Sequence, residues 1–134
     1  MSRLLAVLAA SALAAAPKGG APMEWKGSFC PVEKASHRVV ETSAAWEALW
    51  KELGKPSPAA DLKKHFAVAV FLGSRPTGGY SAVFEEAADE KGQTVVRYSV
   101  RGPQGMAIQA FTQPYAVRLY PRTGKPARAE ARAS

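Results

Sequence analysis

The stretch FAVAVFLG, residues 66–73, decides the fold. Its apolar side chains alternate between two faces. Every second residue from Phe66 to Leu72 points to one face, and every second residue from Ala67 to Phe71 points to the other. Successive side chains of a strand point to opposite faces of a sheet, so a strand that is apolar on both faces is covered by another layer on each side. We therefore predict a central strand here.

One helix is predicted by TSAAWEALWKELG, residues 42–54. Thr42 or Ser43 can cap its first turn, and Gly54 followed by Pro56 ends it. Its large apolar residues recur at the i, i+3, i+4 and i+7 spacing of one helix face. They are Trp46, Leu49, Trp50 and Leu53. We expect this stripe to pack on the sheet rather than to form an open aromatic platform for a ligand.

Five further stretches alternate apolar and polar residues, which is typical of half-buried strands. They are MEWKGSF (23–29), SHRVVE (36–41), YSAVFEE (80–86), TVVRYSV (94–100) and YAVRLYP (115–121). Helices and strands do not alternate along the chain, so hairpin connections and antiparallel pairing are expected. The predicted fold class is α+β, a mostly antiparallel curled β-sheet or sandwich of about six strands with one amphipathic helix packed on it.

The first residues of the chain predict export. Residues 1–14, MSRLLAVLAASALA, have a basic start, an apolar run and an Ala-Leu-Ala cleavage site, as secretory signal peptides do. The apolar run of about ten residues is too short to span a bilayer as a helix. We predict a signal peptide over 1–14, a linker over 15–22, a domain over 23–122 and a disordered basic tail over 123–134. The exported protein is then periplasmic or extracellular.

The net charge is +7, from 18 Lys and Arg against 11 Asp and Glu, and loss of Arg3 with the signal peptide leaves +6. A basic exported protein can contact an anionic envelope surface, here weakly through the C-terminal tail. Nucleic acid is not an expected partner, because the chain leaves the cytoplasm and shows no aromatic-basic RNA-binding motif.

Candidate catalytic residues are few. The chain has one cysteine, Cys30, and two histidines, His37 and His65. A thiol beside an imidazole can act as a nucleophile, but no third, orienting group is marked near either histidine. The three residues are also too few for a closed zinc site unless a carboxylate joins them. We expect no catalytic residue, no metal and no cofactor, with a Cys-His enzyme as the least favoured alternative.

The stretch RPTGGYS, residues 75–81, predicts a rigid turn, because proline fixes φ and the two glycines permit positive φ. A second loop, residues 112–115, has a similar composition. It has polar residues and a proline before a tyrosine that begins a strand. We predict that both loops lie at one end of the sheet and bind a partner protein. The predicted contact residues are Arg75, Pro76, Thr77, Gly78, Gly79, Tyr80, Thr112, Gln113, Pro114 and Tyr115. The alternative is that the turn at residues 75–81 only connects two strands and binds no partner.

Two blocks carry a resemblance to a known family. VFLGSRPTGGYSAVFEE, followed by QAFTQPYAVRLYPR, resembles the PrcB-like family, the C-terminal domain of a protease complex subunit. The similarity extends upstream to WEALWKEL and departs at Asp61-Leu62, where the family usually has an aromatic second residue. The resemblance implies an exported, non-catalytic protein that takes part in protease assembly or protein binding.

A second resemblance concerns the loops. RPTGGY is similar to the loop of chagasin-like cysteine protease inhibitors, whose fold presents three loops to a protease cleft. The corresponding loops here are Arg75–Tyr80, Gly102–Gly105 and Thr112–Tyr115. The favoured function is a protein-binding module, as an accessory subunit or inhibitor of a protease. The alternative is a structural cell-envelope protein held by its basic tail.

Overall fold

The structure, a computed structural model, describes residues 23–132. The predicted signal peptide over 1–14 and linker over 15–22 lie outside the described residues. No helix in the described range is long and apolar enough to cross a membrane. The elements in chain order are β1 (Glu24–Gly27), β2 (Ser36–Val40), α1 (Ser43–Leu53), β3 (His65–Phe71), β4 (Ser81–Phe84), β5 (Ala88–Glu90), β6 (Gln93–Arg101), β7 (Tyr115–Pro121) and β8 (Ala127–Ala131).

The first sheet has the strand order β1-β7-β3-β2, and all its neighbours are antiparallel. Strand β3 is central, as predicted, and its two faces enter two different apolar cores. Ala67, Ala69 and Phe71 pack beneath the helix. Phe66 and Val68 face the second sheet. The double-faced apolar pattern of residues 66–73 therefore reflects a sheet held between two layers.

Helix α1 forms the outer layer on one face of this sheet. The Thr42 hydroxyl accepts a hydrogen bond from the Ala45 N–H at 3.1 Å, and Gly54 ends the helix with a left-handed φ of 72°. Trp46 and Trp50 are each 3 % exposed, so the predicted stripe is core and the platform alternative is wrong. Full burial of such a side chain stabilises the fold by about 1.5–3 kcal/mol.

The second sheet covers the other face. Strand β6 pairs antiparallel with β4 and β5 and parallel with β8. Val96 and Tyr98 of β6 pack against Phe66, Val68 and their neighbours of β3. The predicted α+β class with sandwich character is confirmed, and two of the eight strands, β5 and β8, were not predicted. Strand β5 is only three residues long and lies partly in DEKGQ, which the sequence indicates only as a turn.

The prediction of a disordered tail over 123–134 is wrong for Ala127–Ala131, which form β8 beside β6. The small side chains of Ala127 and Ala129 fit against the second core. Glu130 accepts hydrogen bonds from Arg97 Nε at 2.7 Å and from Arg128 Nη1 at 2.8 Å, which hold the pKa of its carboxyl below the usual range. The charged side chains of the tail are thus largely paired with other charged side chains of the fold.

Candidate functional site

The two predicted loops lie side by side at one end of the sandwich. The Arg75 N–H donates to the Thr112 carbonyl at 2.8 Å, and the Thr112 N–H donates back to the Arg75 carbonyl at 2.9 Å. The Thr112 hydroxyl donates to the Thr77 carbonyl at 2.9 Å. These three bonds join segments more than thirty residues apart in the chain, so the turn is fixed by tertiary contacts as well as by its own proline and glycines.

A third segment, residues 102–111, packs on the turn. The Gly78 N–H donates to the Ile108 carbonyl at 3.1 Å. Gly79 has a φ of 88°, and a Cβ there would lie 2.7 Å from Pro103 Cβ. Ordinary carbon contacts are about 3.5–4.0 Å, so only glycine fits at this position. Gly78 is similarly close to Ile108, with 2.8 Å between a Cβ and Ile108 Cγ1.

Arg75 is held in place at the base of the turn. Its Nε donates to the Leu72 carbonyl at 3.0 Å, and its guanidinium carbon lies 5.1 Å from the centre of the Tyr80 ring. Arg75 forms no ion pair with any of residues 23–132. The two terminal nitrogens of an anchored guanidinium can bind a carboxylate with little loss of side-chain freedom.

Burial divides the predicted contact residues into two groups. Six of the ten are exposed or partly exposed, namely Arg75, Pro76, Thr77, Gly79, Tyr80 and Gln113. Four are buried, namely Gly78, Thr112, Pro114 and Tyr115. Because these four have little free surface, we assign them to the support of the loops and keep the contact prediction for the six exposed or partly exposed residues.

Tyr115 illustrates this assignment. Its side chain is 7 % exposed, and its ring packs edge-on against Trp50 with ring centres 6.5 Å apart. Burial raises the pKa of its hydroxyl. Tyr115 lies on the same strand face as Val117 and Leu119, which are also buried under the helix. The alternation of YAVRLYP predicts this face, so the strand pattern outweighs the proximity of Tyr115 to the loop.

Three exposed apolar side chains near the turn are not predicted by any pattern in the sequence. Met106, Ile108 and Phe111 are 105 %, 58 % and 71 % exposed, and they lie on the segment that packs on the turn. The antiparallel pairing of Arg75 with Thr112 brings Phe111 opposite Pro76. We call Pro76, Gly79, Met106, Ile108 and Phe111 the loop surface. Its only signal in the sequence is that residues 102–114 contain large apolar residues and no charge.

The cysteine and histidines are kept apart. Cys30 packs against the core beneath the helix, where burial raises the pKa of its thiol. His37 lies on the other face of the first sheet, with its Nδ1 2.8 Å from the Tyr98 hydroxyl. His65 lies at the far end of β3, and its Nδ1 is 3.2 Å from the Asp61 carbonyl. Residues 23–132 contain no group of three or more His, Cys, Asp or Glu side chains arranged to hold a metal ion.

Comparison with known proteins gives one family. Residues 66–118 match the family described as PrcB C-terminal. This range is less than half of the chain and includes the turn, the loop surface and most of β7. The match confirms the resemblance drawn from the sequence. No curated protein and no solved structure matches the chain. The resemblance to chagasin-like inhibitors stays a prediction, although its three loops do lie together.

Proposed function

We propose that the protein is an exported, non-catalytic protein-binding module that attaches to a protease complex through the loop surface. The single observation that carries the proposal is the exposure of Met106, Ile108 and Phe111 on loops that are fixed from below. Large apolar side chains exposed close together on a protein surface are typical of interaction sites. Covering a large apolar side chain contributes about 1.5–3 kcal/mol, so two such residues can act as anchors.

Pre-organisation supports the same function. The turn is bound to Thr112 and Ile108 by main-chain hydrogen bonds, and Gly79 packs directly on Pro103. A surface that is already ordered loses little conformational entropy when a partner docks, so more of the contact energy appears as affinity. The absence of charge from residues 102–114 also reduces the desolvation penalty of docking.

The kind of partner is inferred from the family. The PrcB C-terminal family is named after a protease complex subunit, and the match over residues 66–118 includes the loop surface. An accessory subunit and an inhibitor would both use such loops. They differ in outcome, because an inhibitor that enters the active-site cleft abolishes cleavage of short peptides, whereas an accessory subunit leaves that cleavage intact. Peptidase assays on the captured complex separate the two.

The tail-anchored envelope protein is the weaker alternative. Lys125 pairs with Asp89 at 3.1 Å, and Arg132 pairs with Glu85 through a bidentate contact. Charges that are neutralised within the fold have less attraction left for an anionic surface. The Cys-His enzyme is disfavoured by the position of Cys30 and His37 on opposite faces of the first sheet.

Capture from the host's exported proteins tests the proposal. We expect the double variant Ile108→Ser, Phe111→Ser to reduce capture of a protease-containing partner about tenfold or more. Val83→Ser is the matched control, because Val83 is also exposed but lies on β4, outside the loop surface. Equal capture by both variants, or capture that is lost only at high salt, would favour the envelope protein instead.

A further inference from the structure

The sandwich has an open cavity at the corner next to the loops. It lies between the first sheet and the second sheet and has a volume of about 550 Å³, within the usual range of ligand sites. We call it the seam cavity. Its walls are mostly apolar, and the side chains used below are Val70, Leu72, Arg75, Tyr98, Val100 and Ala131.

Two strand edges border the seam cavity. Strand β2 is the last strand of the first sheet and pairs only with β3, and β8 pairs only with β6 among the described residues. The two strands approach each other without forming a ladder. An unpaired strand edge offers N–H and C=O groups to an extended peptide. A ligand without a peptide backbone does not match the alternating N–H and C=O groups of such an edge.

Arg75 lines the seam cavity. It also lines a smaller cavity of about 280 Å³, together with Tyr80 and Gly102. Its Nε donates to the Leu72 carbonyl, and its guanidinium carbon lies 5.1 Å from the centre of the Tyr80 ring. A cationic group therefore lies beside a mostly apolar cavity, which is complementary to a ligand with an apolar side chain next to a terminal negative charge.

We propose that the seam cavity binds the C-terminal residues of a partner polypeptide. The terminal carboxylate binds Arg75, and the last apolar side chain enters between Leu72 and Val100. The backbone follows β2 beside Ser36 and His37, the part of that strand that lines the seam cavity. This inference rests on the proposed protein-binding function and adds a partner chemistry to it. It also gives a role to an arginine that lies beside an apolar cavity and forms no ion pair among residues 23–132.

A peptide titration followed by amide NMR tests the inference. The probes are the acetylated tetrapeptide Ala-Val-Ala-Leu with a free C-terminal carboxylate, the same peptide amidated, and decanoate. We expect the free acid to bind with chemical-shift changes at Val70, Leu72 and Val100. We expect the amide to bind about tenfold more weakly or worse, because a charge-assisted bidentate contact is lost.

Three variants sharpen the test. Arg75→Gln should weaken binding of the free acid about tenfold or more and leave the weak binding of the amide unchanged. Arg101→Gln removes an exposed charge at the end of β6 and should change the affinity by less than about threefold. Ala131→Leu narrows the seam cavity while keeping the charge of Arg75 and should weaken binding of both peptides.

Each other outcome overturns the inference. Equal binding of acid and amide would exclude recognition of the carboxylate by Arg75. Tighter binding of decanoate than of the peptide would make the site one for lipid-type carboxylates. The absence of binding at millimolar peptide would also refute it. The proposed function fails separately, when the Ile108→Ser, Phe111→Ser variant still captures its partner.

Discussion

Replacement of Gly79 by alanine tests the packing that creates the loop surface. Gly79 has a φ of 88°, and an added Cβ would lie 2.7 Å from Pro103 Cβ. The left-handed backbone costs an L-residue about 1–2 kcal/mol. Lower entropy of the unfolded chain returns about 0.4–1 kcal/mol. The clash adds about 1–3 kcal/mol, as other overpacking substitutions do. We expect Gly79→Ala to destabilise the fold by about 2–4 kcal/mol.

Gly92→Ala is the matched control, because Gly92 has a similar φ of 79° but a Cβ there would meet no atom within 4 Å. It should lose only about 1 kcal/mol, the balance of backbone strain and unfolded-state entropy. Urea melts of both variants, followed by tryptophan fluorescence, give the two free energies of unfolding. If Gly79→Ala costs no more than Gly92→Ala, residues 102–111 do not pack on the turn and the loop surface is not pre-formed.

Three further predictions concern the core, the thiol and the leader. Trp46→Phe should destabilise the fold by about 1–3 kcal/mol more than Trp50→Phe. The reason is that Trp46 Nε1 donates to the Pro58 carbonyl at 2.9 Å, while the buried Trp50 Nε1 has no acceptor in the described chain. Equal losses of unfolding free energy in urea melts would contradict this prediction. Iodoacetamide should label Cys30 more slowly than free cysteine at neutral pH, and the labelling rate should still rise at alkaline pH. The reason is that burial raises the pKa of the thiol and only the thiolate reacts. Fast labelling at neutral pH would favour the Cys-His enzyme again. The intact mass of protein recovered from its host should lack residues up to Ala14, and retention of that segment would disprove cleavage there.

The central layers could be predicted from the sequence because their patterns are long and repeated. FAVAVFLG is apolar on both faces, and it lies between two cores. The stripe from Trp46 to Leu53 keeps one helical face over two turns, and it is buried throughout. In both elements, local periodicity and tertiary burial favour the same structure, so the pattern alone was sufficient.

The tail and part of the site could not be predicted in this way. In β8 the inward residues are alanines, which bury little surface, so the segment resembles a disordered tail until its pairing with β6 is known. The loop surface depends on contacts between Arg75 and Thr112 and between Gly78 and Ile108, which no local period encodes. Residues 102–114 have no regular pattern, so nothing in the sequence indicates which of their side chains are exposed.

Hydrogen–deuterium exchange of the complex with the captured partner tests the central claim most directly. The account predicts added protection in residues 76–80 and 103–111, which form the loop surface and its support. Strand β5 and the outer face of α1, which line neither the loop surface nor the seam cavity, should exchange at the same rate with and without the partner. Protection confined to residues 123–132 or to α1, with residues 103–111 unchanged, would contradict the claim that the loop surface binds the partner.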